Sequence, residues 1–545
     1  MAPPAPARPL LNWQRNGVWS WVILGCVLLF AAAVRFRLRD VPLERDEGEY
    51  AYGGQLLLRG MLPGQLIYTL KLPGTHVAYA CLMVFFGQTC AGIHLGFLLV
   101  NCATIAVLFW LARTLVGPLA GCVAAATYAL MSLSAGALGT SAHATHFVVF
   151  AALAGLLLLW QAAKGARPWT YLAAGFLLGS SILMKQNGML FAAFGTLWLV
   201  WLGCSRQLGS KSSFLKAASF FFSGITLPFV LLLLVLWAAH SVENCWFWWV
   251  TYARAYSKPY PGLNLLWTIM IERMPVVMEL PFYVAPFGLA ALWRKRSSWQ
   301  VALFVSGFLF FSFLAIFPGL HFRPHYFVLL MPALALLVGA LVGEATRLLE
   351  GSRFKILVWA PVLVFAFFFA RGIARERNFF FRLTPLEAVR ALYGSEPFPE
   401  GLVVADYVRA HSVPEARIAV LGSEPEIYFY SHRRSATGYV YTYPLTEHQQ
   451  FAAQMRQQMM QEIEAARPLF VVQVCAWSSW QSRPASQQRI RELGDALIPP
   501  GYKLIGACDR EPDQSQANWH WYPQGTKDPP NPASELLLFE RINSP

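Results

Sequence analysis

The sequence has few charged residues. Asp, Glu, Lys and Arg together make up 13% of its 545 residues, whereas 56% are hydrophobic and 15% are aromatic. Soluble globular domains carry about 25% charged residues, so this composition excludes that class and is typical of a polytopic membrane protein. The net charge of +14 therefore does not indicate a nucleic-acid partner, because the cytoplasmic loops of membrane proteins collect Lys and Arg.

Three kinds of sequence signature are missing. Neither common Gly-rich phosphate loop occurs, so a nucleotide-binding fold is not predicted. The nine cysteines lie mostly inside apolar runs, and none has the spacing of a metal site. Cys475 and Cys508 share a polar region, where they could form a disulfide or pack as buried thiols. No small-residue cleavage site follows the first apolar run, which favours a retained first helix over a removed signal peptide.

Apolar stretches close to the ~20 residues that cross a bilayer recur along the first two thirds of the sequence. They predict eleven membrane spans, at about 18–35, 92–112, 118–136, 146–163, 169–185, 187–203, 217–238, 276–293, 300–317, 326–343 and 355–370. A further apolar segment, 75–86, has only about twelve residues and is predicted to be re-entrant or interfacial. The predicted fold class is therefore a polytopic α-helical membrane protein with interfacial helices.

The distribution of basic residues sets the orientation of these spans. With the N-terminus inside and segment 75–86 not counted as a span, most basic clusters fall in cytoplasmic loops, as is usual. These clusters are Arg113; Lys164 and Arg167; Arg206, Lys211 and Lys216; Arg294, Lys295 and Arg296; and Arg347, Arg353 and Lys355. Segments 36–92, 139–146, 239–275 and 318–325 then lie on the exoplasmic face, where they can converge into one cavity. The tail after Arg371 lies on the same side.

That tail of about 170 residues differs in character from the rest. Short apolar runs predict strands, and a Gln- and Met-rich stretch with helical periodicity predicts an amphipathic helix. The strands are predicted at 417–421, 470–474, 502–507 and 536–542, and the helix at 447–466. The sequence therefore predicts two domains, a membrane unit over 1–371 and a soluble α/β domain over 372–545. The Pro-, Gln- and Asn-rich segment 509–534 is predicted to be a surface loop or a mobile excursion.

Three carboxylates, Asp46, Glu47 and Glu49, lie just beyond the first span together with Tyr50. Ionisable groups near a membrane are costly and usually face a cavity in which they bind or transform a ligand. A carboxylate there can accept a proton from a hydroxyl or hold a cation. Asp46 and Glu47 are therefore the predicted catalytic residues, and Glu49 and Tyr50 are candidate substrate contacts. The alternative is a helix start, because acidic residues favour the positive end of a helix.

Basic residues on the same face are candidates for binding a phosphate. Lys71 precedes a Pro-Gly turn, where it can meet a lipid phosphate or simply reach the headgroups as an ordinary cation. Arg323 can hold phosphate oxygens with two donors, and the nearby His321 and His325 could add hydrogen bonds or bind a metal. We predict that Lys71, Arg323 and His325 bind a donor phosphate. A divalent metal is possible, but no metal ligand is assigned.

Four more residues on this face are candidate substrate contacts: Lys185, His146, Arg254 and Lys258. Lys185 ends the fifth predicted span, where a cation needs a partner or an aqueous cavity, and it could equally mark a helix–helix turn. His146 and its neighbour His143 could equally be satisfied polar groups at a helix start. The aromatic-rich loop that carries Arg254 and Lys258 could be an interfacial belt or a lid over a lipid-linked donor or an incoming acceptor.

The order of these motifs resembles that of a known superfamily. It comprises the acidic motif at 45–50, the Lys-Leu-Pro-Gly motif at 71–74, His325-Tyr326 and Met331-Pro332. The pattern resembles the GT-C superfamily of polyprenyl-phosphate-sugar glycosyltransferases, especially protein O-mannosyltransferases and the bacterial aminoarabinose transferases that modify lipid A. The resemblance covers essentially the whole membrane unit, and residues 421–426 of the tail are similar to the periplasmic domain of bacterial members.

The resemblance implies roles for individual residues. In this superfamily the first-loop acidic motif supplies the catalytic carboxylate, here Asp46 with Glu47 beside it, and the Lys of a Lys-Pro-Pro type motif contacts the donor phosphate, here Lys71. The chain departs from the pattern in two places. Leu72 replaces the first Pro, and Thr145-His146 stands where many relatives carry an Asp, which leaves the acceptor or sugar contacts open.

The implied activity is that of an inverting glycosyltransferase. Asp46 would accept the proton of an acceptor hydroxyl while Lys71 and Arg323 stabilise the departing lipid phosphate. The expected partners are a polyprenyl-phosphate-linked hexose or pentose, a lipid, glycan or protein hydroxyl acceptor, and the lipid bilayer, with no nucleic acid. The expected location is the bacterial inner membrane, with the active site and the C-terminal domain on the periplasmic side.

Two other functions are compatible with the residues. A transporter or flippase of lipid-linked sugars also places charges along a substrate path, but such proteins often have paired halves with broken helices, and the sequence shows no such pairing. A non-catalytic relative could scaffold envelope assembly. The intact set of Asp46, Glu47 and Lys71 favours the enzyme over both.

Overall fold

The computed structural model describes residues 17–65, 67–165, 167–256, 263–294, 298–481, 487–509, 517–526, 531 and 534–542, with side chains described outside 263–277 and 487–489. In chain order the helices up to residue 375 are α1 (Val18–Arg37), α2 (Arg45–Leu58), α3 (Gly74–Phe86), α4 (Cys90–Leu115), α5 (Pro118–Met131), α6 (Ala144–Ala162), α7 (Pro168–Met184), α8 (Gly188–Cys204), α9 (Lys211–Ala238), α10 (Val242–Trp246), α11 (Ala253–Tyr256), α12 (Leu263–Arg294), α13 (Trp299–Leu314), α14 (Met331–Leu349) and α15 (Ala360–Arg375). A π-helical segment, Phe247–Tyr252, joins α10 to α11, and 3₁₀ segments lie at Ala135–Ala137, Pro324–Leu329 and Lys355–Trp359.

Six of the described helices are long and apolar enough to cross a membrane: α1, α4, α6, α9, α14 and the segment Lys355–Arg375 that ends in α15. Four further predicted spans are the shorter apolar helices α5, α7, α8 and α13, of 14 to 17 residues. The remaining one falls in α12. The chain is thus a multi-pass membrane protein, whereas the number eleven stays a prediction. Segment 75–86, predicted to be too short for a span, is α3, with 13 residues.

Helix α2 is fixed at its start by the acidic residues themselves. The Glu44 carboxylate accepts a hydrogen bond from the Glu47 backbone N–H at 2.9 Å, and the Glu47 carboxylate accepts one from the Glu44 N–H at 3.4 Å. This reciprocal capping box satisfies two donors that a helix start leaves unpaired. The alternative interpretation of the acidic cluster as a helix start is therefore correct. It leaves Asp46, in the first helical turn, available for chemistry.

The chain after α15 forms a mixed sheet with surrounding helices. Its elements are α16 (Arg377–Phe381), α17 (Pro385–Tyr393), α18 (Phe398–Ala410), β1 (Arg417–Leu421), α19 (Glu426–Ser431), β2 (Arg434–Ser435), α20 (Tyr443–Thr446), α21 (Ala452–Ala466), β3 (Phe470–Val474), α22 (Trp477–Trp480), α23 (Gln487–Asp495), β4 (Tyr502–Asp509), β5 (Asn518–Thr526) and β6 (Leu536–Arg541). The strand order is β2-β1-β3-β6-β4-β5. Strand β1 is parallel to β2 and β3, and the other pairs are antiparallel.

The four predicted strands are confirmed as β1, β3, β4 and β6. The predicted helix at 447–466 begins later, at Ala452. Strand β5 lies inside segment 509–534, so the prediction of a loop there is wrong for residues 518–526. This strand is at the edge of the sheet and mostly exposed, so its sequence lacks the apolar alternation that reveals a half-buried strand. Cys475 and Cys508 are each buried, and no disulfide joins them.

The sheet domain is docked directly on α2. Leu43, Tyr52 and Leu56 share one apolar core with Ile418 and Phe429. The Tyr430 hydroxyl accepts a hydrogen bond from the Leu43 N–H, and the Tyr52 hydroxyl accepts one from the Ser435 N–H. These buried contacts hold the sheet domain in one position over the start of α2.

Two further contacts fix this docking at the first turn of α2. Gly48 allows a close approach of the two parts, because a Cβ atom there would lie 2.5 Å from the Glu426 backbone nitrogen. The Arg45 guanidinium donates to Glu424 at 2.6 Å, to Glu396 at 3.0 Å and to the Ser423 carbonyl at 2.7 Å. Residues on both sides of Asp46 therefore hold the sheet domain in place.

Candidate active site

A cleft of about 890 Å³ lies between the membrane helices and the sheet domain. It is lined by Asp46, Tyr50, Tyr68, Thr69, Leu70, Lys71, Met184, Lys185, Gln186, Trp248, Tyr252, Tyr256, Arg323, Tyr326, Tyr441, Tyr443, Pro444 and Glu447. Three of the loops predicted to converge contribute to this lining. The fourth, 139–146, does not line the cleft but approaches Asp46 through the buried His143, whose ring stacks on that of His325.

Asp46 and Lys71 form the centre of the cleft. The Lys71 ammonium donates to Asp46 Oδ1 at 2.7 Å, and the side chains are 24% and 20% exposed, so both can be reached from the cleft. Lys71 also pairs with Glu49, whose carboxylate is fully buried behind it. The Tyr441 hydroxyl, supplied by the sheet domain, donates to the same Asp46 oxygen at 3.1 Å. The predicted catalytic carboxylate and the predicted phosphate-binding lysine thus lie in one compartment, in direct contact.

The charges of this pair are fixed by each other. Burial raises the pKa of Asp46, but the Lys71 ammonium outweighs it and holds that pKa well below its usual range. Burial lowers the pKa of Lys71, but Asp46 and then Glu49 outweigh it and hold that pKa well above its usual range. The pair is therefore a carboxylate and an ammonium at neutral pH. Such a pair can accept a proton on one side and stabilise an anion on the other.

Two more cations line the cleft, Lys185 and Arg323. Lys185 follows the end of α7, so it lies in the loop beyond the membrane helix, with its ammonium 3.8 Å from the centre of the Tyr326 ring. Burial lowers the pKa of Lys185 to about 7; Asp46 opposes this shift, and the cations Lys71 and Arg323 add to it. Three cations and two carboxylates, those of Asp46 and Glu447, therefore line the same space, and the excess of positive charge favours an anionic ligand.

His143 and His325 lie beside Asp46 with their rings stacked, the centroids 4.0 Å apart at 17°. His325 Nε2 is 3.9 Å from Asp46 Oδ2. Burial lowers the pKa of both imidazoles, that of His143 to about 4, so both are neutral. They can donate or accept hydrogen bonds next to the carboxylate.

These two histidines and Asp46 are also the described group that comes nearest to a metal site, with ligand atoms within 4.8 Å of one another. Ligand atoms of one tetrahedral ion lie about 3 to 3.5 Å apart, because each is about 2.0 to 2.2 Å from the metal. The in-plane lone pairs of two stacked imidazoles run parallel instead of converging. Lys71 also already occupies one Asp46 oxygen. The arrangement does not fit a bound divalent ion, and the chemistry proposed below uses none.

Glu47, predicted as a second catalytic carboxylate, does not reach the cleft. Its side chain is 1% exposed and accepts hydrogen bonds from His94 Nε2 at 3.0 Å and from the Ala142 N–H at 2.6 Å. Burial raises the pKa of Glu47, but His94 and these hydrogen bonds hold it below its ordinary value. Glu47 therefore joins α2 to α4 and to the loop before α6, with its carboxylate away from the cleft lining.

Replacing Glu47 with alanine should accordingly lower stability more than catalysis. The change leaves His94 and the Ala142 N–H buried without their acceptor, and loss of one partner from such a buried charged network costs about 3 to 5 kcal/mol. We expect a lower Tm in detergent, with kcat per folded molecule within a few-fold of the wild type. An unchanged Tm with kcat reduced a hundredfold would instead support the predicted catalytic role of Glu47.

Of the other predicted substrate contacts, some line the cleft and others do not. Tyr50 lines the cleft, with the Lys71 ammonium 4.6 Å from its ring centre. Glu49 lies behind Lys71 and cannot touch a ligand directly. His146 packs against Phe97 in the helix bundle, so it is not placed as a substrate contact. The Arg254 side chain is exposed and is not part of the cleft lining. Lys258 lies outside the described residues.

The sheet domain adds residues that the sequence analysis did not assign, chiefly Tyr441, Tyr443 and Glu447. Tyr441 contacts Asp46, and Glu447 accepts a hydrogen bond from the Tyr252 hydroxyl at 2.7 Å. They lie about 400 residues from the acidic motif, so spacing could not connect them. The alternating tyrosines at 439, 441 and 443 in an otherwise polar tail were the available signal.

Comparison with known proteins supports the fold described above. Residues 73–231 match the family model described as dolichyl-phosphate-mannose-protein mannosyltransferase. Among solved structures, ArnT from Cupriavidus metallidurans bound to undecaprenyl phosphate is similar at 16% identity, covering 85% of this chain and 93% of that one, with a TM-score of 0.53. The oligosaccharyltransferase AglB from Archaeoglobus fulgidus, in complex with an inhibitory peptide and a dolichol-phosphate, is similar at 13% identity, covering 95% and 76%, with a TM-score of 0.52.

No curated protein sequence matches the chain significantly. The matched family and both structures are of the GT-C superfamily of polyprenyl-phosphate-sugar glycosyltransferases, so the resemblance seen in the sequence is confirmed. At these identities the two structures show a shared fold. The identity of the donor and the acceptor has to be argued from the residues of the cleft.

Proposed function

We propose that this chain is an inverting glycosyltransferase that moves a hexose or pentose from a polyprenyl-phosphate carrier to a hydroxyl acceptor at the exoplasmic membrane face. The observation that carries the proposal is the Asp46–Lys71 pair, open to a cleft that also holds Lys185 and Arg323. The polyprenyl phosphates named with ArnT and AglB support a lipid phosphate as the anion that these cations meet.

The chemistry follows from the two oxygens of Asp46. The free oxygen Oδ2 accepts the proton of the acceptor hydroxyl as that oxygen forms its bond to the anomeric carbon. The bond from the anomeric carbon to the phosphate oxygen breaks, and its electron pair leaves with the polyprenyl phosphate. Lys71 and Arg323 stabilise the charge that develops there, and His325 can donate a hydrogen bond. One displacement of this kind inverts the anomeric configuration.

The low pKa of Asp46 limits its strength as a base in the empty site. A donor phosphate bound at Lys71 would share the ammonium with Asp46 and weaken the attraction that lowers this pKa. Binding the donor would therefore make Asp46 more basic at the moment when a base is needed. The fully buried Glu49 keeps Lys71 in place during this exchange, so we assign it as a positioning residue.

An apolar cavity of about 530 Å³ on the other side of Lys71 is suited to the lipid tail. It shares Thr69, Lys71 and Trp248 with the cleft and is otherwise lined mainly by apolar groups, among them Leu56 and Ile67. A chain of isoprene units in this cavity would place its phosphate at the Lys71 ammonium. The tail would then lie towards the membrane, and the sugar would lie in the cleft.

The location follows from the same proposal. The basic loops favour an orientation in which the cleft and the sheet domain face the periplasm of a bacterium, with the helices in the inner membrane. We retain the division into a catalytic membrane unit, 1–371, and an exoplasmic domain, 372–545. Helix α15 continues through this boundary to Arg375.

The direct test is sugar transfer by the purified full-length protein in detergent. The donors would be short-chain polyprenyl phosphates carrying a labelled hexose or pentose, and the acceptor would be a solubilised envelope from cells that lack the protein. We expect labelled product and released polyprenyl phosphate. Transport of the donor across proteoliposomes without any product would instead identify a flippase.

The pKa of Lys185 predicts how donor binding depends on pH. With a pKa of about 7, this side chain is about nine-tenths protonated at pH 6 and about one-tenth at pH 8. Only the protonated form attracts a phosphate, so the KM for the donor should rise several-fold between these values. The donor phosphodiester and the neutral imidazoles of His143 and His325 do not titrate there. Initial rates at several donor concentrations, measured from pH 6 to pH 8, give the donor KM at each pH.

Two variants at this position make the pH test specific. Lys185→Arg keeps the charge throughout and should give a low donor KM at both pH values. Lys185→Met removes the charge and should give a high KM that no longer depends on pH. The pH explanation would be wrong if Lys185→Met retained the wild-type profile.

A further inference from the structure

A separate polar cavity of about 630 Å³ lies where the sheet domain meets the start of α2. It is lined by Arg45, Arg323, Glu396, Tyr443, Trp477, Ser478 and Gln481. Two of these residues, Arg323 and Tyr443, also line the catalytic cleft, so they form the wall between the two spaces. Arg45 immediately precedes Asp46 in the chain. A ligand in this cavity would therefore lie across this wall from the cleft that Asp46 lines.

The lining of this cavity restricts the chemistry of its ligand. Every described side chain that lines it carries a polar atom, so it offers no aliphatic wall for an acyl chain or an apolar peptide side chain. Its polar groups are already ordered. The Ser478 hydroxyl and the Arg45 guanidinium both donate to Glu396 Oε2, at 2.7 Å and 3.0 Å.

Trp477 supplies the larger of two aromatic surfaces, the other being Tyr443, and 49% of the residue is exposed. The faces of aromatic rings carry negative charge and attract the weakly positive C–H groups of a ligand. A pyranose has one face of C–H groups and a rim of hydroxyls. The Trp477 ring matches the face, and the carboxylate, hydroxyl and amide groups of Glu396, Ser478 and Gln481 match the rim.

We infer that this cavity binds a saccharide unit of the acceptor, so that the acceptor hydroxyl belongs to a glycan. The inference rests on the proposed function, of which it specifies the acceptor class. A sugar ring on Trp477 can extend past Arg323 and Tyr443 and present its next hydroxyl to Asp46. The donor sugar has the same chemistry, and the kinetic measurements below distinguish the two sources.

Saturation-transfer difference NMR on the full-length protein in detergent tests the binding without any donor. The probes are methyl β-D-glucopyranoside, methyl α-D-mannopyranoside and methyl β-D-galactopyranoside, with a Ser/Thr peptide and glycerophosphoethanolamine for comparison. We expect saturation of the ring protons of at least one glycoside, reduced about tenfold in Trp477→Ala, as for the loss of one aromatic anchor. Trp477→Phe should retain the signal. Trp521→Ala should also retain it, because Trp521 is a partly exposed tryptophan on β5 away from this cavity.

The transfer assay separates acceptor from donor. Trp477→Ala should raise the KM for a glycan acceptor about tenfold and leave the donor KM within twofold. If Trp477→Ala fails to fold, Gln481→Ala serves in both measurements. No glycoside signal, equal signals in wild type and variant, a Trp477-dependent signal from the peptide or the phospholipid headgroup alone, or a rise only in the donor KM would each overturn the inference. The NMR measurement does not depend on the role of Asp46. If Asp46 proved not to be the base, glycoside binding at Trp477 would still be observed, so the two proposals can fail separately.

Discussion

Replacing Asp46 with asparagine should lower kcat for sugar transfer roughly 10²- to 10⁴-fold, the range that a positioned general base contributes. The amide has the same shape and can still accept the hydrogen bond from Tyr441, but it cannot take a proton from the acceptor. Lys71 keeps its pairing with Glu49, so the site should retain its geometry. The measurement is the initial rate of product formation at saturating donor.

A matched control for this change is Asp406→Asn. The Asp406 side chain is 63% exposed and pairs with Arg409 on the surface of α18, so its loss should leave both kcat and Tm unchanged. The donor KM of Asp46→Asn should stay within a few-fold of the wild type, because the cations that meet the phosphate are intact. Normal transfer by Asp46→Asn would refute the proposed role of Asp46.

The parts of the molecule that could be predicted from the sequence are those defined by neighbouring residues. Apolar run length predicts membrane helices because one helix must satisfy its own backbone in lipid. The strands β1 and β3 are short apolar runs buried on both sides, and their bounds were predicted correctly. Asp46 and Lys71 stood out because charged groups are rare in so apolar a chain.

The parts that could not be predicted depend on contacts between distant segments. Asp46 and Glu47 are adjacent and chemically alike, and only the packing of His94 and Ala142 against Glu47 shows which carboxylate faces the cleft. Tyr441 enters the site because Gly48 allows the sheet domain to approach α2 closely. The lack of periodicity in β5 has a similar origin, since its edge position is decided by the whole sheet.

Replacing Lys71 with methionine should have the second large effect, a fall in kcat/KM of about 10²- to 10³-fold, comparable with the loss of one transition-state charge contact. Both the binding of the donor phosphate and its departure depend on this ammonium, so KM should rise and kcat should fall. Lys71→Arg should recover part of the rate, because it restores the charge but not the compact geometry. Lys164→Met is the control, since Lys164 lies over the Trp160 ring, away from the cleft.

The methionine also leaves the buried Glu49 without its partner, which should cost about 3 to 5 kcal/mol of stability and could by itself reduce activity. The double variant Lys71→Met, Glu49→Gln removes that unpaired charge. We expect it to regain most of the lost Tm and almost none of the lost kcat/KM. Glu49→Gln alone leaves Asp46 as the one carboxylate paired with Lys71 in the described part of the chain and should raise the donor KM modestly. If the double variant regained transfer along with stability, Lys71 would be a structural cation, and the leaving phosphate would have to be stabilised by Arg323 and Lys185 instead.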